Sequence, residues 1–201
     1  MAITDYATLQ AAVANWLHRS DLSAQVPDFI ALAEAKLSSD LDARPMESQV
    51  ALTTSAGSGS VALPSDMLEM RRLMLQADVN RPLTYVTPDQ LAADYPTGLT
   101  GRPAVFAVIG TNLSLAPVPD AEYTLELTYR QRIPALSASN ATNWLLAAFP
   151  NAYLYGALCA AQPYLMNDAR LATFQTLYKE AVNGINGIDW YSGSTMRVRA
   201  R

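Results

Sequence analysis

Residues 143–190 have the sequence NWLLAAFPNAYLYGALCAAQPYLMNDARLATFQTLYKEAVNGINGIDW, and this stretch decides the fold. Asn143 is a good helix N-cap, and Pro150 suits the first residue of the next helix because it has no N–H to leave unpaired. Pro163 should bend or end that helix by clashing with the preceding turn. The apolar residues of this helix recur at helical spacing, at Leu154, Leu158, Ala161 and Leu165.

A second amphipathic helix is predicted after Asn167-Asp168, which supplies an N-cap. Its apolar stripe consists of Leu171, Phe174, Tyr178, Ala181, Val182 and Ile185. Two helices joined by so short a turn are typical of an antiparallel hairpin. The hairpin has enough apolar surface to need a partner from elsewhere in the chain.

The N-terminal end of the chain supplies that partner in the form of two more amphipathic helices. The first is capped by Thr4 or Asp5, runs to about His18, and has an apolar stripe of Tyr6, Leu9, Val13, Trp16 and Leu17. The second has Pro27 in its first turn and an inner face of Ile30, Ala33, Leu37 and Leu41. One bundle made from both chain ends is the simplest way to bury all four stripes.

Between these helices the apolar period changes to two, which predicts strands. The clearest strand alternates Tyr123, Leu125, Leu127 and Tyr129 with polar residues, and Gly110-Thr111-Asn112 predicts a tight hairpin turn. Other strand candidates lie at 49–53, 61–63, 67–76, 82–86, 104–109 and 113–116, with a short helix after Thr87-Pro88-Asp89. Short strands with frequent turns indicate an antiparallel β-sandwich or small barrel.

The predicted fold class is therefore α+β, a helical bundle formed by both chain ends with an inserted antiparallel β-sandwich or small barrel. We assign residues 1–45 and 134–190 to the bundle, residues 46–133 to the inserted β domain, and residues 191–201 to a C-terminal arm.

The charge distribution argues against a protein that grips nucleic acid. Lys and Arg number 14 and Asp and Glu 18, a net charge of −4. Without Arg197, Arg199 and Arg201 the balance is 11 minus 18, or −7. A nucleic-acid binder would show a basic stripe instead. The basic tail is typical either of an interaction arm or of a solvated end, and the sequence favours the two equally.

Catalytic and metal-binding residue sets are scarce. His18, the single histidine, lies at a predicted helix end, where a structural role is favoured. One His and one Cys do not provide the usual zinc ligands, and Cys159 is predicted to be a small buried residue inside a helix. We therefore predict no metal, no cofactor and no catalytic residue. No apolar run is long enough to span a bilayer and no signal peptide is expected, so synthesis in the cytoplasm is predicted.

Candidate contact residues between subunits lie in two places. Arg71-Arg72 could form ion pairs between subunits or bind an anion. The C-terminal third is rich in aromatic residues, which are enriched at protein interfaces, and its candidates are Tyr153, Tyr155, Trp190 and Tyr191. The alternative for these aromatic residues is a large bundle core.

Several dispersed segments resemble the head–tail adaptor proteins of tailed bacteriophages, in particular those similar to the tail tubular proteins called A. The segments, in chain order, are ITDYATLQ (3–10), VANWLHRSDL (13–22), PDFIALAE (27–34), LPSDMLEMRR (63–72), LAPVPD (115–120), NWLL (143–146) and PNAYLYGAL (150–158). None of these segments is a catalytic motif.

The resemblance implies a structural protein of the virion neck, a ring of about twelve copies with cyclic symmetry. Its implied partners are further copies of itself, the portal protein and a tail or nozzle protein, with DNA passing through the lumen without sequence-specific binding and no membrane contact. The resemblance also implies that a C-terminal arm docks on the portal. Here the candidate arm is Thr195, Met196, Arg197, Val198, Arg199, Ala200 and Arg201.

Two other classes of function are left open. A ligand- or carbohydrate-binding β-sandwich would need Tyr85, Tyr95 and Phe106 to form an exposed platform. A hydrolase would need His18 to be held by a carboxylate next to a nucleophile.

Overall fold

The computed structural model describes residues 2–19, 21–76, 80–96, 98–165 and 168–188. They form two compact units, one from Met1–Met46 with Ile133–Arg201 and the other from Glu47–Arg132. We call these the helical unit and the β unit. The α+β class predicted from the sequence is confirmed.

The described residues form six α-helices and eight β-strands. The helices are α1 (Tyr6–Leu17), α2 (Val26–Asp40), α3 (Pro88–Asp94), α4 (Trp144–Ala148), α5 (Pro150–Leu165) and α6 (Asp168–Ile188). The strands are β1 (Glu47–Thr53), β2 (Ser60–Ala62), β3 (Met67–Gln76), β4 (Arg81–Pro82), β5 (Thr84–Tyr85), β6 (Val105–Ile109), β7 (Asn112–Ala116) and β8 (Thr124–Gln131).

Short polar side chains start α1 and α4 as predicted. The Thr8 N–H donates to Asp5 Oδ1 (2.8 Å) while the Asp5 N–H donates to Thr8 Oγ1 (3.0 Å), which forms a reciprocal capping box. The Leu146 N–H donates to Asn143 Oδ1 (2.9 Å) at the start of α4. These bonds satisfy N–H groups that the first turn of a helix leaves unpaired.

Helix α5 is the centre of the helical unit. Its buried residues lie on several sides, and they are Ala152, Tyr153, Leu154, Gly156, Ala157, Leu158, Ala161 and Gln162. The single apolar face predicted from the sequence is therefore too narrow, because α1, α2, α4 and α6 all contact this helix. Pro163 lies inside its last turn, and the helix ends two residues later at Leu165.

Some predicted core positions of the helical unit are exposed instead. Trp16, placed in the inner stripe of α1, is 44% exposed, because α1 buries only the side carrying Leu9, Ala12 and Val13. Cys159 is half-buried rather than buried. The predicted Asn167 cap of α6 lies outside the described residues.

The β unit consists of two four-stranded sheets, ordered β1-β8-β3-β4 and β2-β7-β6-β5. Apolar side chains from both sheets join one core cluster, so the sheets pack face to face as a sandwich, and the described strands form no closed barrel. Between β6 and β7, Gly110 has a φ of 61°, the left-handed conformation that a two-residue hairpin turn requires.

The strand predicted over 82–86 is wrong as a single strand. Arg81–Pro82 pairs with β3 in one sheet, whereas Thr84–Tyr85 pairs with β6 in the other. Proline has no N–H with which to continue a ladder, so the chain crosses between the sheets at buried Leu83. The β5–β6 pair is parallel, which makes the second sheet mixed rather than antiparallel.

Candidate functional site

The arginine pair predicted as a contact site lies at a β-bulge. Met70 pairs with Tyr129 and Arg72 with Thr128, so Arg71 is the extra residue, and both arginines are exposed. Arg71 Nη1 lies 3.4 Å from Glu69 Oε1, and Arg72 Nη2 lies 3.6 Å from Glu126 Oε1. Both guanidinium groups therefore have carboxylate partners within the β unit.

A cavity of about 430 Å³ lies beside these arginines, lined by Met70, Leu83, Tyr85, Phe106 and Val108 among others. Its aromatic rings do not form the platform that a carbohydrate-binding module would need. Tyr85 is 57% exposed but meets Phe106 edge-on at 5.6 Å between ring centroids, and Phe106 is only 5% exposed. Because a buried ring offers no face for stacking, Phe106 does not meet the requirement of this alternative function.

The prediction of Tyr153 as a contact residue between subunits is also wrong. Its side chain is fully buried beneath α2 and α4, so another copy has no access to it. The Tyr153 hydroxyl donates to Glu34 Oε1 (3.2 Å) and accepts from Asn143 Nδ2 (2.7 Å). We call Glu34, Asn143 and Tyr153 the Glu34 hub.

The Glu34 hub holds the segment that enters the helical unit at Ile133. The Leu136 N–H donates to Glu34 Oε1 (2.8 Å), and Asn143 Nδ2 donates to the Pro134 carbonyl (2.7 Å). Burial raises the pKa of Glu34, although the hydrogen bonds from Leu136 and Tyr153 act in the lowering direction. Burial also raises the pKa of Tyr153 well above its usual range. The hub is thus a structural anchor. Glu34 lies four residues after Ile30 and three before Leu37, so its helical spacing places it on the inner face of α2, and this signal could have located the hub.

Tyr155 remains available for contacts. It is half-buried, its ring meets that of Trp16 at a centroid distance of 6.1 Å, and Trp16 in turn lies 6.4 Å from Phe174. Tyr155 also lines a shallow cavity of about 420 Å³ with Leu177, Ile185 and Ile188. The other aromatic candidates, Trp190 and Tyr191, and the arm at 195–201 lie outside the described residues.

His18 does not form the centre of a hydrolase site in the described part of the chain. It is the left-handed C-cap of α1, with φ 54°, and its backbone N–H bonds to the carbonyls of Ala14 and Asn15. Its exposed side chain has no hydrogen-bond partner among the described residues and lines a cavity with Trp16 and Arg170. Those same residues contain no cluster of His, Cys, Asp and Glu suited to a metal.

A larger cavity, of about 660 Å³, lies over α5 between α2 and α6. We call it the α5 groove, and its main lining residues are Leu32, Lys36, Cys159, Pro163, Leu171 and Lys179. Leu32 is 59% exposed at its rim. Lys36 lies 3.7 Å from Asp40 and 5.4 Å from the centroid of the Tyr178 ring, and the Tyr178 hydroxyl donates to Asp40 (2.8 Å).

The α5 groove depends on a close approach of helices beneath it. A Cβ atom at Gly156 would lie 3.1 Å from Ala33 Cβ and 3.4 Å from Tyr178 Cε2. A side chain at this position would require Ala33 to shift by a few tenths of an ångström, so glycine favours the close packing of α2 on α5. Gly156 lies two residues from both Leu154 and Leu158, on the side of the helix opposite their apolar stripe, so the stripe by itself does not locate the groove.

Comparison with known proteins identifies the class of protein to which these surfaces belong. The family model of the SU10 adaptor protein matches residues 4–199, nearly the whole chain. The chain belongs to the SU10 adaptor family. This is a family of phage structural adaptors, and the coarser expectation from the sequence is thereby confirmed.

For an SU10 adaptor the relevant chemistry is protein contact, so the α5 groove and the exposed side chains of both units are the surfaces of interest. The match is to the SU10 adaptors, and it does not test the resemblance to the tail tubular proteins called A. No curated protein matches the chain. None of the described helices is both long and apolar enough to cross a membrane.

Proposed function

We propose that this SU10 adaptor is the head-to-tail adaptor of a tailed phage. About twelve copies would form a ring beneath the portal, join the capsid to the tail or nozzle, and let DNA pass through the lumen. The observation that carries the proposal is the family match over residues 4–199. Contact with other proteins, without a catalytic step, accounts for this function.

Ring closure requires a particular kind of interface. A cyclic ring repeats one heterologous contact, so each subunit needs two different faces that fit each other. The helical unit and the β unit expose different apolar side chains, Leu32 and Ile188 on the first, Tyr85 and Ile109 on the second. This supports an arrangement in which the bundles form the ring wall while the β units contribute to contacts with the tail component.

The acidic balance of the chain supports passage of DNA. The net charge is −4, so the protein would weakly repel the phosphate groups of DNA instead of binding them. A cryo-EM map of the ring should therefore show a lumen whose charged side chains are mainly Asp and Glu. A lumen lined mainly by Arg and Lys would contradict this part of the proposal.

The C-terminal arm is proposed to contribute to portal binding. Deleting residues 195–201 should leave the far-ultraviolet circular dichroism of the helical unit unchanged and abolish capture of the portal in a pull-down. A matched control replaces Arg197, Arg199 and Arg201 by Lys, which keeps the charge. Undiminished capture by the deletion variant would remove the arm from the proposal.

The main experiment mixes the full chain with the purified portal protein of the same phage. We expect a complex that migrates well above the 21.8 kDa of one chain and that shows a ring beneath the portal by electron microscopy. Antibody labelling of intact virions should place the protein at the neck. A chain that stays monomeric with the portal present, and that is absent from virions, would contradict the proposed function.

A further inference from the structure

The α5 groove has the features of a docking site for a short acidic segment. Its floor is apolar, with Leu32 exposed at the rim, and Lys36 and Lys179 lie on its sides. Lys36 is compensated by Asp40, whereas Lys179 forms no ion pair with any described residue. The groove therefore presents an uncompensated positive charge beside uncovered apolar surface.

The β unit presents an acidic surface around α3, opposite in charge to the α5 groove. This helix has no buried residue, although its start is well capped by Thr87 and Gln90. It carries Asp89 and Asp94, neither of which is ion-paired to a described residue, and Tyr85 and Leu99 are about half-exposed on either side of it in the chain. We call Tyr85, Pro88–Asp94 and Leu99 the α3 knob. A seven-residue helix is marginal in water without a covering partner.

We propose that the α3 knob of one copy seats in the α5 groove of the next copy in the ring. The inference rests on the proposed function, since it assigns the contact that would close the ring. Binding of a short helix in an apolar groove is a common recognition mode, and Asp89 or Asp94 would face Lys179 across it. Because knob and groove are different surfaces, each copy uses both, and the contact repeats head to tail.

Charge exchange tests the pairing. Lys179→Glu and Asp94→Lys should each weaken self-association of the full chain roughly tenfold, because an attraction becomes a repulsion. The double variant should recover most of the wild-type association. Asp89→Lys is tested in parallel with Lys179→Glu, since either carboxylate can face the lysine. Association is measured by sedimentation velocity and native mass spectrometry, with and without the portal.

The matched control is Glu180→Lys. Glu180 is the next residue along α6 but lines the cavity on the Tyr155 and Ile185 side, away from the groove. Its reversal changes the net charge by the same magnitude as Lys179→Glu, with the opposite sign, and should leave association unchanged. Circular dichroism of every variant verifies that the helical unit is folded.

Cys159 provides a second readout, because it is the only cysteine in the chain and lines the groove. Alkylation by N-ethylmaleimide at pH 8.5 should be several-fold slower in the wild-type assembly than in the Lys179→Glu variant. An assembly with no charge rescue and an unprotected Cys159 would overturn the inference and leave the proposed function standing. Protection by the portal that persists unchanged in the Lys179→Glu and Asp94→Lys variants would assign the groove to the portal and overturn the inference as well. A chain that never assembles would overturn both.

Discussion

The helical unit and the β unit differ in where their polar groups lie, buried in the first and at the surface in the second. The helical unit buries a carboxyl, a carboxamide and a phenol together in the Glu34 hub. The β unit has an apolar core cluster, and its ion pairs, such as Arg72 with Glu126, lie at the surface. The difference follows from the topology. The two parts of the helical unit are separated by the 86 residues of the β unit, and the buried hydrogen bonds of the Glu34 hub join the second part to the first.

This contrast shows that the two units select a single packing arrangement in different ways. In the β unit, alternation along each strand already decides which side chains enter the core. In the helical unit, apolar stripes can pack in several registers, whereas buried hydrogen bonds are satisfied in only one arrangement. Substitutions in the two units should therefore have effects of different size and character.

The largest effect is expected from truncating a buried leucine in each unit. Leu158→Ala should lower the free energy of unfolding of the helical unit by ~3 kcal/mol, and Leu127→Ala should do the same for the β unit. Trp16, Trp144 and Trp190 are the only tryptophans and all belong to the helical unit, so their fluorescence in a urea titration follows that unit alone. We propose that the units unfold separately. An equal shift of the tryptophan transition by Leu127→Ala would show that they unfold as one.

The next effect concerns the close approach at Gly156. Gly156→Ala should destabilise the helical unit by about 2 kcal/mol, because the new Cβ would lie 3.1 Å from Ala33 Cβ. Gly184→Ala on α6 is the matched control, since nothing lies within 4 Å of its Cβ position. The control should stabilise the unit by about 0.5 kcal/mol through helix propensity. Thermal unfolding of both variants gives the comparison, and equal melting temperatures would argue against tight packing at Gly156.

A smaller, pH-dependent effect is expected at Glu34. Burial raises the pKa of Glu34 in the folded protein above its value in the unfolded chain. The contribution of Glu34 to stability is therefore fully present at pH values below the pKa of the unfolded chain, and it is lost as the pH rises through the pKa of the folded protein. Glu34→Gln keeps the acceptor for the Leu136 and Tyr153 bonds and removes the buried charge. The variant should match or exceed wild-type stability at pH 7, by roughly 1 kcal/mol or less, and the difference should vanish near pH 4.

Urea titrations at both pH values measure this dependence, and Tyr153→Phe provides a check on the geometry of the hub. Removing the hydroxyl leaves Glu34 with the Leu136 N–H alone, so the pH dependence should persist. A Glu34→Gln variant that is less stable than wild type at pH 7 but equal to it at pH 4 would mean that the carboxylate form is the favoured one.

The smallest effect is expected for the surface ion pair of the β unit. Arg72→Ala should change stability by less than about 0.5 kcal/mol, because Arg72 is largely solvated and exposed ion pairs contribute little. The same substitution at 0.5 M salt should have no measurable effect, since salt screens what attraction there is. A loss of more than about 1 kcal/mol would indicate a role for Arg72 in packing against the neighbouring cavity.

Most of the element order could be predicted because its signals are local. The caps at Asp5, Thr87 and Asn143 and the proline at the start of α5 mark helix ends by chemistry within one turn. Strand β8 follows from its alternation of apolar and polar residues. The crossing at Leu83 could not be predicted, because which sheet each half of 82–86 joins depends on partners distant in sequence.

The candidate sites were less predictable than the elements. Arg71 and Arg72 could be found as a pair, but the bulge that exposes both of them arises from the register with β8. Tyr153 and Tyr155 cannot be told apart in the sequence, yet Tyr153 is buried and Tyr155 is half-buried. They differ because they lie on different sides of a helix that other helices surround. The α5 groove is formed by three helices and has no contiguous sequence motif.

The sequence by itself determined most of the helices and strands, the α+β class and the acidic balance, since each depends on neighbouring residues or on simple counts. The tertiary structure alone decided which polar groups are buried together, which apolar side chains stay exposed, and where α2, α5 and α6 leave a groove. The physical reason is that burial is a property of surfaces brought together from distant parts of the chain. Glu34 and Tyr153 are 119 residues apart in sequence and share one hydrogen bond.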